Sequence, residues 1–297
     1  AEILRLWVAS VVIGEDVKVS KDILLHLSEA YRKFRNTFRY CLANLQDFDP
    51  SKDMVEKRKL EEIDAWALWR TAEILERVYG SYNDCSFHKV YRTLYDFTTI
   101  DLSAFYFDVI KDRLYTFPPK SQERRSAQTG LFILLDALVR AVAPVLCFTA
   151  EEVWQQLPSK GVKIDSVHMA QFIPAADLRE GLSAGVLARL ENWPRLTSLR
   201  DEVLKVLEAA RNKKLIGNPL EAKVYIRADE NWILLLDQYK DSLATLFIVS
   251  QVEITLALLP TSSQTGLKGI EISVERAKGE KCSRCWNYST GVGQDKS

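Results

Sequence analysis

The stretch SKDILLHLSEAYRKFRNTFRYCLANL, residues 20–45, carries the clearest structural signal in the chain. Its apolar residues recur at spacings of three and four, which is the periodicity of an α-helix with one buried face. These residues are Ile23, Leu27, Tyr31, Phe34, Phe38, Cys41 and Leu45. The stretch therefore predicts a long amphipathic helix whose apolar face is covered by neighbouring helices.

Similar helical patterns follow through the first half of the chain. They cover about 60–79, 87–97, 102–114 and 121–142. Thr149 and Glu152 have the T-x-x-E spacing of a capping box, which predicts the start of a further helix. Residues 1–157 are therefore predicted to form a bundle of long helices with short connections.

The pattern changes after residue 157. Residues 158–195 contain several glycines and prolines and are predicted to be a connecting region. A helix from about residue 199 is predicted to end with Gly217 as its C-cap. Alternating apolar and polar residues predict strands at 222–227, 252–258 and 269–274, with a helix at 237–249 between the first two. Residues 196–275 are thus expected to form a small α+β module.

Composition limits the class of protein. The chain has 297 residues, and its 40 Lys and Arg residues balance 40 Asp and Glu residues. Any attraction to a polyanion must therefore come from local clusters of charge. A hydrophobic content of 47% fits a soluble globular protein, and no signal peptide or long apolar run is recognisable, so no membrane association is expected.

Cys282 and Cys285 are three residues apart near the end of the sequence. Two cysteines at this spacing can turn both sulfurs toward one cation, but structural zinc requires four ligands in a tetrahedron. A second pair beyond Ser297 could supply the rest. The alternatives are a chance CxxC and a redox pair, although the latter needs a thioredoxin-like context that is missing here. By spacing alone, zinc and chance stay equally open.

Two groups of polar residues suggest contact with nucleic acid. Arg32, Arg35, Asn36 and Arg39 recur at helical spacing and form a polar stripe, which could hold phosphates or could be an ordinary solvated face. Near the cysteines, Arg284 and Trp286 have the chemistry that stacks on unpaired bases. Trp286 could equally be the small core of the knuckle.

The sequence lacks common catalytic and nucleotide-binding motifs. G-x-G-x-x-G, G-x-x-x-x-G-K-[ST], H-E-x-x-H and G-x-S-x-G are all absent. Its three histidines do not pair with a plausible nucleophile. No catalytic residue is therefore predicted within this chain.

Several motifs together resemble the C-terminal part of bacterial-type isoleucyl-tRNA synthetases, which are class I aminoacyl-tRNA synthetases. In order, they are ILRLWVAS, YRKFRNTFRY, HKVYRTLYDF, LSAFYFDVIKDRLY, FTAEEVW, EAARNKKLIGNPLEAKV and KCSRCW. The resemblance covers the whole chain. FTAEEVW also suits the valyl and leucyl relatives, whereas the combination with a terminal KCxRCW knuckle is specific to the isoleucyl family.

The resemblance implies a mainly α fold. An anticodon-binding helical bundle is followed by a small α+β module and, at residues 276–297, by the first half of a zinc-binding knuckle. Cys282 and Cys285 match the first two zinc ligands of the family, and the second cysteine pair of the family is absent from this chain. The resemblance also assigns anticodon-loop contact to Arg284 and Trp286.

For the stripe, the motif match suggests tRNA contact by Arg32, Arg35, Asn36 and Arg39, with internal bracing of the bundle as the alternative. The parent protein is expected to be a ligase that joins isoleucine to its tRNA using ATP. Its ATP site and editing domain are expected upstream of this chain.

The chain itself is expected to bind isoleucine tRNA, chiefly at the anticodon arm, without catalysing a reaction. The resemblance implies a monomer that is cytoplasmic in a bacterium, or mitochondrial or chloroplast if it is an organellar copy. A competing hypothesis is a helical protein-interaction scaffold with the zinc knuckle as a docking tail. A third is a self-contained zinc enzyme, which requires an open metal position and a nearby base.

Overall fold

A computed structural model describes residues 1–12, 14, 17–159, 161, 164–257 and 263–294. The chain divides into two compact units, Ala1–Leu187 and Ala188–Ser297. The predicted domain boundaries near residues 157, 195 and 275 stay predictions. Leu258 at the end of a predicted strand, residues 295–297 of the predicted knuckle, and parts of the predicted connecting region lie outside the described residues.

The first unit is built from helices, as predicted. The α-helices are α1 (Glu2–Ser10), α2 (Lys21–Asn44), α3 (Glu62–Asn83), α4 (Phe87–Asp96), α5 (Phe107–Thr116), α6 (Gln122–Val142), α7 (Cys147–Gln156) and α8 (Ala175–Arg179). A π-helix, Phe97–Tyr106, joins α4 to α5. The division between the units falls within the next helix, α9 (Ala184–Leu190). None of the described helices is both long and apolar enough to cross a membrane.

Helix α2 forms for the reasons its sequence suggests. The Ser20 hydroxyl accepts a hydrogen bond from the Ile23 N–H at 3.2 Å and so caps the first turn. Leu27, Phe34 and Phe38 are buried on the inner face, where α2 packs against α1, α6 and α7. Its opposite face is left to solvent.

Helix α6 begins with the same kind of cap, because the Ser121 hydroxyl accepts from the Arg124 N–H at 3.3 Å. Most of its length is buried, and it packs against α2, α3, α5 and α7. Its start and end agree with the sequence prediction to within one residue. A helix surrounded in this way can be apolar on nearly all sides, and α6 is therefore the centre of the first unit.

A buried ionic group joins α3, α5, α6 and the π-helix. Its members, here called the Asp64 cluster, are Asp64, Tyr106, Arg113 and Ser126. Asp64 is 0% exposed, and its carboxylate accepts two hydrogen bonds from Arg113, at 2.8 and 3.0 Å. The Tyr106 hydroxyl donates to it at 2.9 Å and the Ser126 hydroxyl at 2.5 Å. The buried carboxylate is thus paired and fully hydrogen-bonded.

Burial lowers the pKa of Arg113, but the charge of Asp64 and its hydrogen bonds outweigh this effect and raise the pKa overall. Gly130 is required beside the cluster. A Cβ at this position of α6 would lie 2.7 Å from the Tyr106 hydroxyl oxygen and 3.4 Å from Asp64 Cβ. The close approach of α6 to these groups therefore depends on a residue with no side chain.

The predicted capping box before α7 is wrong. The helix begins at Cys147, so Thr149 lies inside its first turn, and its hydroxyl bonds to the Tyr31 hydroxyl at 3.0 Å. The cap comes instead from Glu2 of α1, whose carboxylate accepts from the Phe148 N–H at 3.0 Å. A carboxylate beside the first turn also interacts well with the helix dipole. This cap is distant in sequence and could not be found from local spacing.

The second unit contains a small sheet with helices. Its further elements are α10 (Trp193–Asn212), β1 (Ala222–Ala228), α11 (Glu230–Tyr239), α12 (Leu243–Phe247), β2 (Gln251–Thr255), β3 (Ser263–Gln264), β4 (Ile270–Arg276), β5 (Glu280–Lys281) and β6 (Tyr288–Ser289). The main sheet has the order β2-β1-β4-β3, in which β1 is parallel to β2 and antiparallel to β4. Val224, Ile226 and Ile272 are buried on its inner face, and α10 contacts β4. The predicted mixture of helix and strand is confirmed.

Two predicted boundaries in this unit are wrong. Helix α10 ends at Asn212, and Lys214 takes the left-handed conformation (φ 58°) that was expected of a glycine at position 217. Two shorter helices, α11 and α12, replace the single helix predicted at 237–249. The first begins earlier than predicted, because the Asp229 carboxylate caps it by accepting a hydrogen bond from the Trp232 N–H at 3.1 Å. Ile248, at φ 58°, then ends α12. Lys214 and Ile248 thus both adopt a left-handed backbone conformation, which is uncommon for residues other than glycine.

Candidate nucleic-acid interface

The four predicted residues of α2 lie on its outer face. Arg32, Arg35, Asn36 and Arg39 are all exposed, while Phe34 and Phe38 of the same stretch are buried. The helical spacing therefore separates the stretch YRKFRNTFRY into an apolar inner face and a cationic outer face. This group is here called the α2 stripe.

The members of the stripe differ in their partners. Arg32 pairs with Glu29 one turn earlier. Arg35 donates to the Tyr31 hydroxyl at 3.3 Å and to the Glu152 carboxylate of α7 at 3.1 Å. The pKa of Arg35 is raised, first by the hydrogen bond with Tyr31 and then by the charge of Glu152. Arg35 thus connects α2 to α7 through an exposed ion pair.

Arg39 has a different environment. Within the part of the chain that the structure describes, its guanidinium makes no ion pair. It lines a groove of about 220 Å³ between α2 and α7, whose floor includes Phe38 and Val153. An adjoining groove of about 500 Å³ continues past the end of α2 and shares Arg39 and Gln156 with the first. Arg39 is therefore a cation available to a ligand beside a partly apolar groove.

The predicted knuckle is a β-hairpin. Strands β5 and β6 pair through Lys281 and Tyr288, and the Cys282 N–H donates to the Asn287 carbonyl at 2.9 Å. The turn closes when the Trp286 N–H donates to the Cys282 carbonyl at 3.0 Å. Gly279, at φ 95°, permits the hairpin to close, because a Cβ there would lie 2.2 Å from the Ser289 backbone. The cysteines therefore occupy the two ends of one tight turn.

Trp286 stands out on this hairpin. It is 60% exposed and has a left-handed backbone (φ 65°), which is uncommon for a bulky residue. The Lys281 ammonium lies 5.0 Å from the centre of its ring, within the range of a cation–π interaction. Arg284 on the same turn is also exposed. The ring is therefore presented to solvent and is not the core of the knuckle.

The two cysteines by themselves do not form a complete metal site. Cys282 and Cys285 are both half-buried at the turn. Among the described residues, no group of three or more His, Cys, Asp or Glu side chains is arranged to hold a metal ion. Structural zinc takes four ligands, so these residues do not fit a complete zinc site by themselves.

The structure therefore places the predicted residues in two groups, the α2 stripe in the first unit and the hairpin in the second. Sequence reasoning missed the groove beside Arg39. Its far wall comes from Thr149, Val153 and Gln156, more than 100 positions away in the sequence. The one available signal, the T-x-x-E spacing, predicts a capping box and not a groove.

Comparisons with known proteins agree with the predicted family. A family model described as the anticodon-binding domain of tRNA ligase matches residues 64–226. The isoleucine–tRNA ligase of Syntrophotalea carbinolica is 45% identical over 295 residues, which are 99% of this chain and 31% of that protein. The enzyme of the same name from Natranaerobius thermophilus is 45% identical over 98% of this chain and 32% of its own length.

A third relative gives the same result. The isoleucine–tRNA ligase of Moorella thermoacetica is 42% identical over 301 residues, covering 99% of this chain and 32% of its own. The chain spans about a third of the length of these curated relatives. It thus belongs to the family of anticodon-binding domains of tRNA ligases, and the resemblance to isoleucyl-tRNA synthetases is confirmed.

Proposed function

We propose that this chain binds the anticodon arm of isoleucine tRNA, as part of a longer protein that ligates isoleucine to that tRNA using ATP. The observation that supports this function best is the similarity of nearly the whole chain to isoleucine–tRNA ligases at 42 to 45% identity. The competing hypothesis, a protein-interaction scaffold, has no comparable support.

The two groups of site residues have complementary roles in this proposal. Arg32, Arg35 and Arg39 hold phosphates along the stem, since each neutralised phosphate releases bound counterions. Asn36 lies between them and offers an amide to a phosphate or sugar oxygen. On the hairpin, Trp286 stacks on an unpaired loop base and Arg284 contacts its neighbour, which is the usual way in which single-stranded RNA is recognised.

The hairpin leads to a proposal about zinc. We propose that Cys282 and Cys285 provide two of four ligands and that a second cysteine pair outside this chain provides the others. Zinc would then fix the hairpin turn that presents Trp286. Elemental analysis tests this: this chain should hold much less than one zinc, and a form that continues through the next cysteine pair should hold one. Stoichiometric zinc in the shorter chain would contradict the proposal.

The remaining features of the parent protein are also proposals. We propose a monomer that divides near residues 157, 195 and 275 into bundle, connecting region, α+β module and knuckle. A cytoplasmic location is proposed for a bacterial source, and a mitochondrial or chloroplast location for an organellar copy.

The decisive experiment measures tRNA binding at several salt concentrations with zinc present. Isoleucine tRNA and a version with a swapped anticodon are each bound to this chain and to the longer form. We expect affinity to fall steeply as salt rises, and the longer form to discriminate between the two anticodons. Binding that does not depend on salt, or a footprint that leaves the anticodon arm unprotected, would overturn the proposed function and favour the scaffold.

A further inference from the structure

The segment that follows β4 crosses one end of the main sheet of the second unit. Arg276 is opposite Ala222 at the start of β1. The next residue, Ala277, donates its N–H to the Glu221 carbonyl at 2.7 Å. Lys278 then meets β2, because its N–H and carbonyl both bond to the Gln251 side-chain amide, at 3.1 and 2.8 Å. The crossing segment is therefore hydrogen-bonded first to the residue that precedes β1 and then to β2.

The same end of the sheet holds the hairpin and the end of α10. The Tyr288 N–H donates to the Ser250 hydroxyl at 2.7 Å, which ties β6 to the start of β2. Arg276 donates through Nε to the Leu215 carbonyl at 2.9 Å, in the loop that follows α10. Lys213 and Lys214 precede Leu215 in that loop. Four cations, Lys213, Lys214, Arg276 and Lys278, thus lie at one end of the unit and are here called the basic end.

The basic end differs from several other cationic positions in the same unit. Four cations elsewhere in the unit have local carboxylate partners: Lys205 pairs with Glu202, Arg211 with Glu208, Lys223 with Glu253 and Arg227 with Glu271. Within the described part of the chain, none of the four members of the basic end makes an ion pair, although all four are exposed.

The nearby acidic residues compensate this charge only in part. The Glu221 carboxylate is already bonded to the Gly217 N–H and to the Asn218 amide. Glu275 precedes Arg276 in β4, and successive side chains of a strand point to opposite faces of the sheet. Glu280, on β5, is the remaining carboxylate next to the crossing segment. The four cations therefore exceed the three neighbouring carboxylates, and the positive charge continues through Lys281 and Arg284 of the hairpin.

We propose that the basic end binds the phosphate backbone of the RNA strand whose unpaired base stacks on Trp286. This inference rests on the proposed function and adds contacts to it. Cations without partners raise the local affinity for a polyanion without a carboxylate having to be displaced first. The crossing segment and the hairpin are hydrogen-bonded to the same end of the sheet. The positions of the phosphate contacts and of the stacking ring are therefore fixed relative to each other.

The salt dependence of tRNA binding tests this proposal. For single-stranded nucleic acid, each phosphate contact contributes about 0.7 to the slope of log affinity against log salt. The test variant is Lys213→Gln with Lys278→Gln. Lys214 is retained because its left-handed backbone ends α10, and Arg276 because it fixes the Leu215 loop. We expect the slope for isoleucine tRNA to fall by about 1.4 in this double variant.

The matched control is Lys205→Gln with Arg211→Gln, which removes two exposed cations from the same unit that already have carboxylate partners. The control should retain the parent slope. If the test variant also retains it while the parent binds tRNA with strong salt dependence, the basic end is not a phosphate site and the proposed function stands. If the parent shows no salt-dependent binding, both proposals fail. Circular dichroism and thermal unfolding establish that both variants are folded.

Discussion

The Asp64 cluster and the α2 stripe use the same chemistry in different surroundings. Each pairs arginine with carboxylate, yet Asp64 is 0% exposed and Arg113 is 12% exposed, whereas Arg35 and Glu152 are 46% and 50% exposed. In the cluster, burial makes every partner obligatory, because an unpaired charge would remain without water. In the stripe, water can replace any partner. An arginine therefore braces or binds according to its exposure, which its position in a motif does not reveal.

The exposure of an ion pair also determines how much it is expected to contribute to the free energy of unfolding. A surface ion pair contributes about 0 to 1 kcal/mol, and removal of one partner of a buried pair costs about 3 to 5 kcal/mol. If the comparison holds, variants of the cluster should change folding stability and leave the binding residues intact. Variants of the exposed residues should change RNA affinity with little effect on folding.

The largest effect is expected for Asp64→Ala. It leaves Arg113 buried without its carboxylate and also removes the acceptor of the Tyr106 and Ser126 hydroxyls. We expect the free energy of unfolding to fall by about 3 to 5 kcal/mol, as measured by urea unfolding. Tyr106→Phe is the milder control and should cost about 1 to 3 kcal/mol, since one hydrogen bond is lost and the ring stays. A loss below 1 kcal/mol for Asp64→Ala would show that the cluster is not obligatory.

Trp286→Ala should produce the opposite pattern. The ring is 60% exposed, so its removal leaves the packing of the sheet unchanged. Loss of one stacked base should weaken tRNA binding by about 1 to 3 kcal/mol, measured as the dissociation constant at fixed salt. Trp286→Phe serves as the control because it keeps an aromatic face. Equal affinity of Trp286→Ala and the parent would exclude Trp286 from the contact with RNA.

The helix that carries the stripe offers a smaller test. Ser20→Ala removes the side chain that accepts from the Ile23 N–H at the start of α2. We expect a loss of about 1 kcal/mol in unfolding free energy, with tRNA affinity unchanged, because the arginines lie several turns further along. Ser20→Asp, which restores a capping oxygen, should recover the stability. A large loss of affinity in Ser20→Ala would mean that the stripe depends on the first turn.

Sequence reasoning predicted the parts of this chain that are determined locally. Helices α2 and α6 have a side-chain cap and an apolar face within one segment, and strand β1 alternates apolar and polar residues over its whole length. The sharp turn at Cys282 and Cys285 also agrees with the spacing of the motif. For Trp286 the sequence left exposure and a place in the core of the knuckle equally open, and the structure shows the ring exposed.

The features that sequence reasoning missed depend on contacts between distant residues. Glu2 caps α7, and Asp64 finds Arg113 and Ser126 across the bundle, at separations that no local pattern records. At Lys214 the backbone adopts a conformation that favours glycine, so the prediction moved the end of α10 to Gly217. The same limit applies to the stripe, where only the fold shows that Arg35 has a partner on α7 and Arg39 faces a groove.

The variant with the smallest expected effect tests the difference between Arg35 and Arg39. Glu152→Gln removes the negative charge that pairs with Arg35. The Glu152 side chain also lines the groove beside Arg39. Since the pair is exposed, the free energy of unfolding should change by less than about 1 kcal/mol. Affinity for tRNA should rise, because Arg35 is released and a negative charge near the phosphates is lost. Glu29→Gln, beside Arg32, is the matched control on α2 itself and should act in the same direction. A marked loss of stability in Glu152→Gln would mean that Arg35 belongs with the bracing residues, and the exposed fraction of a side chain would no longer separate the two classes.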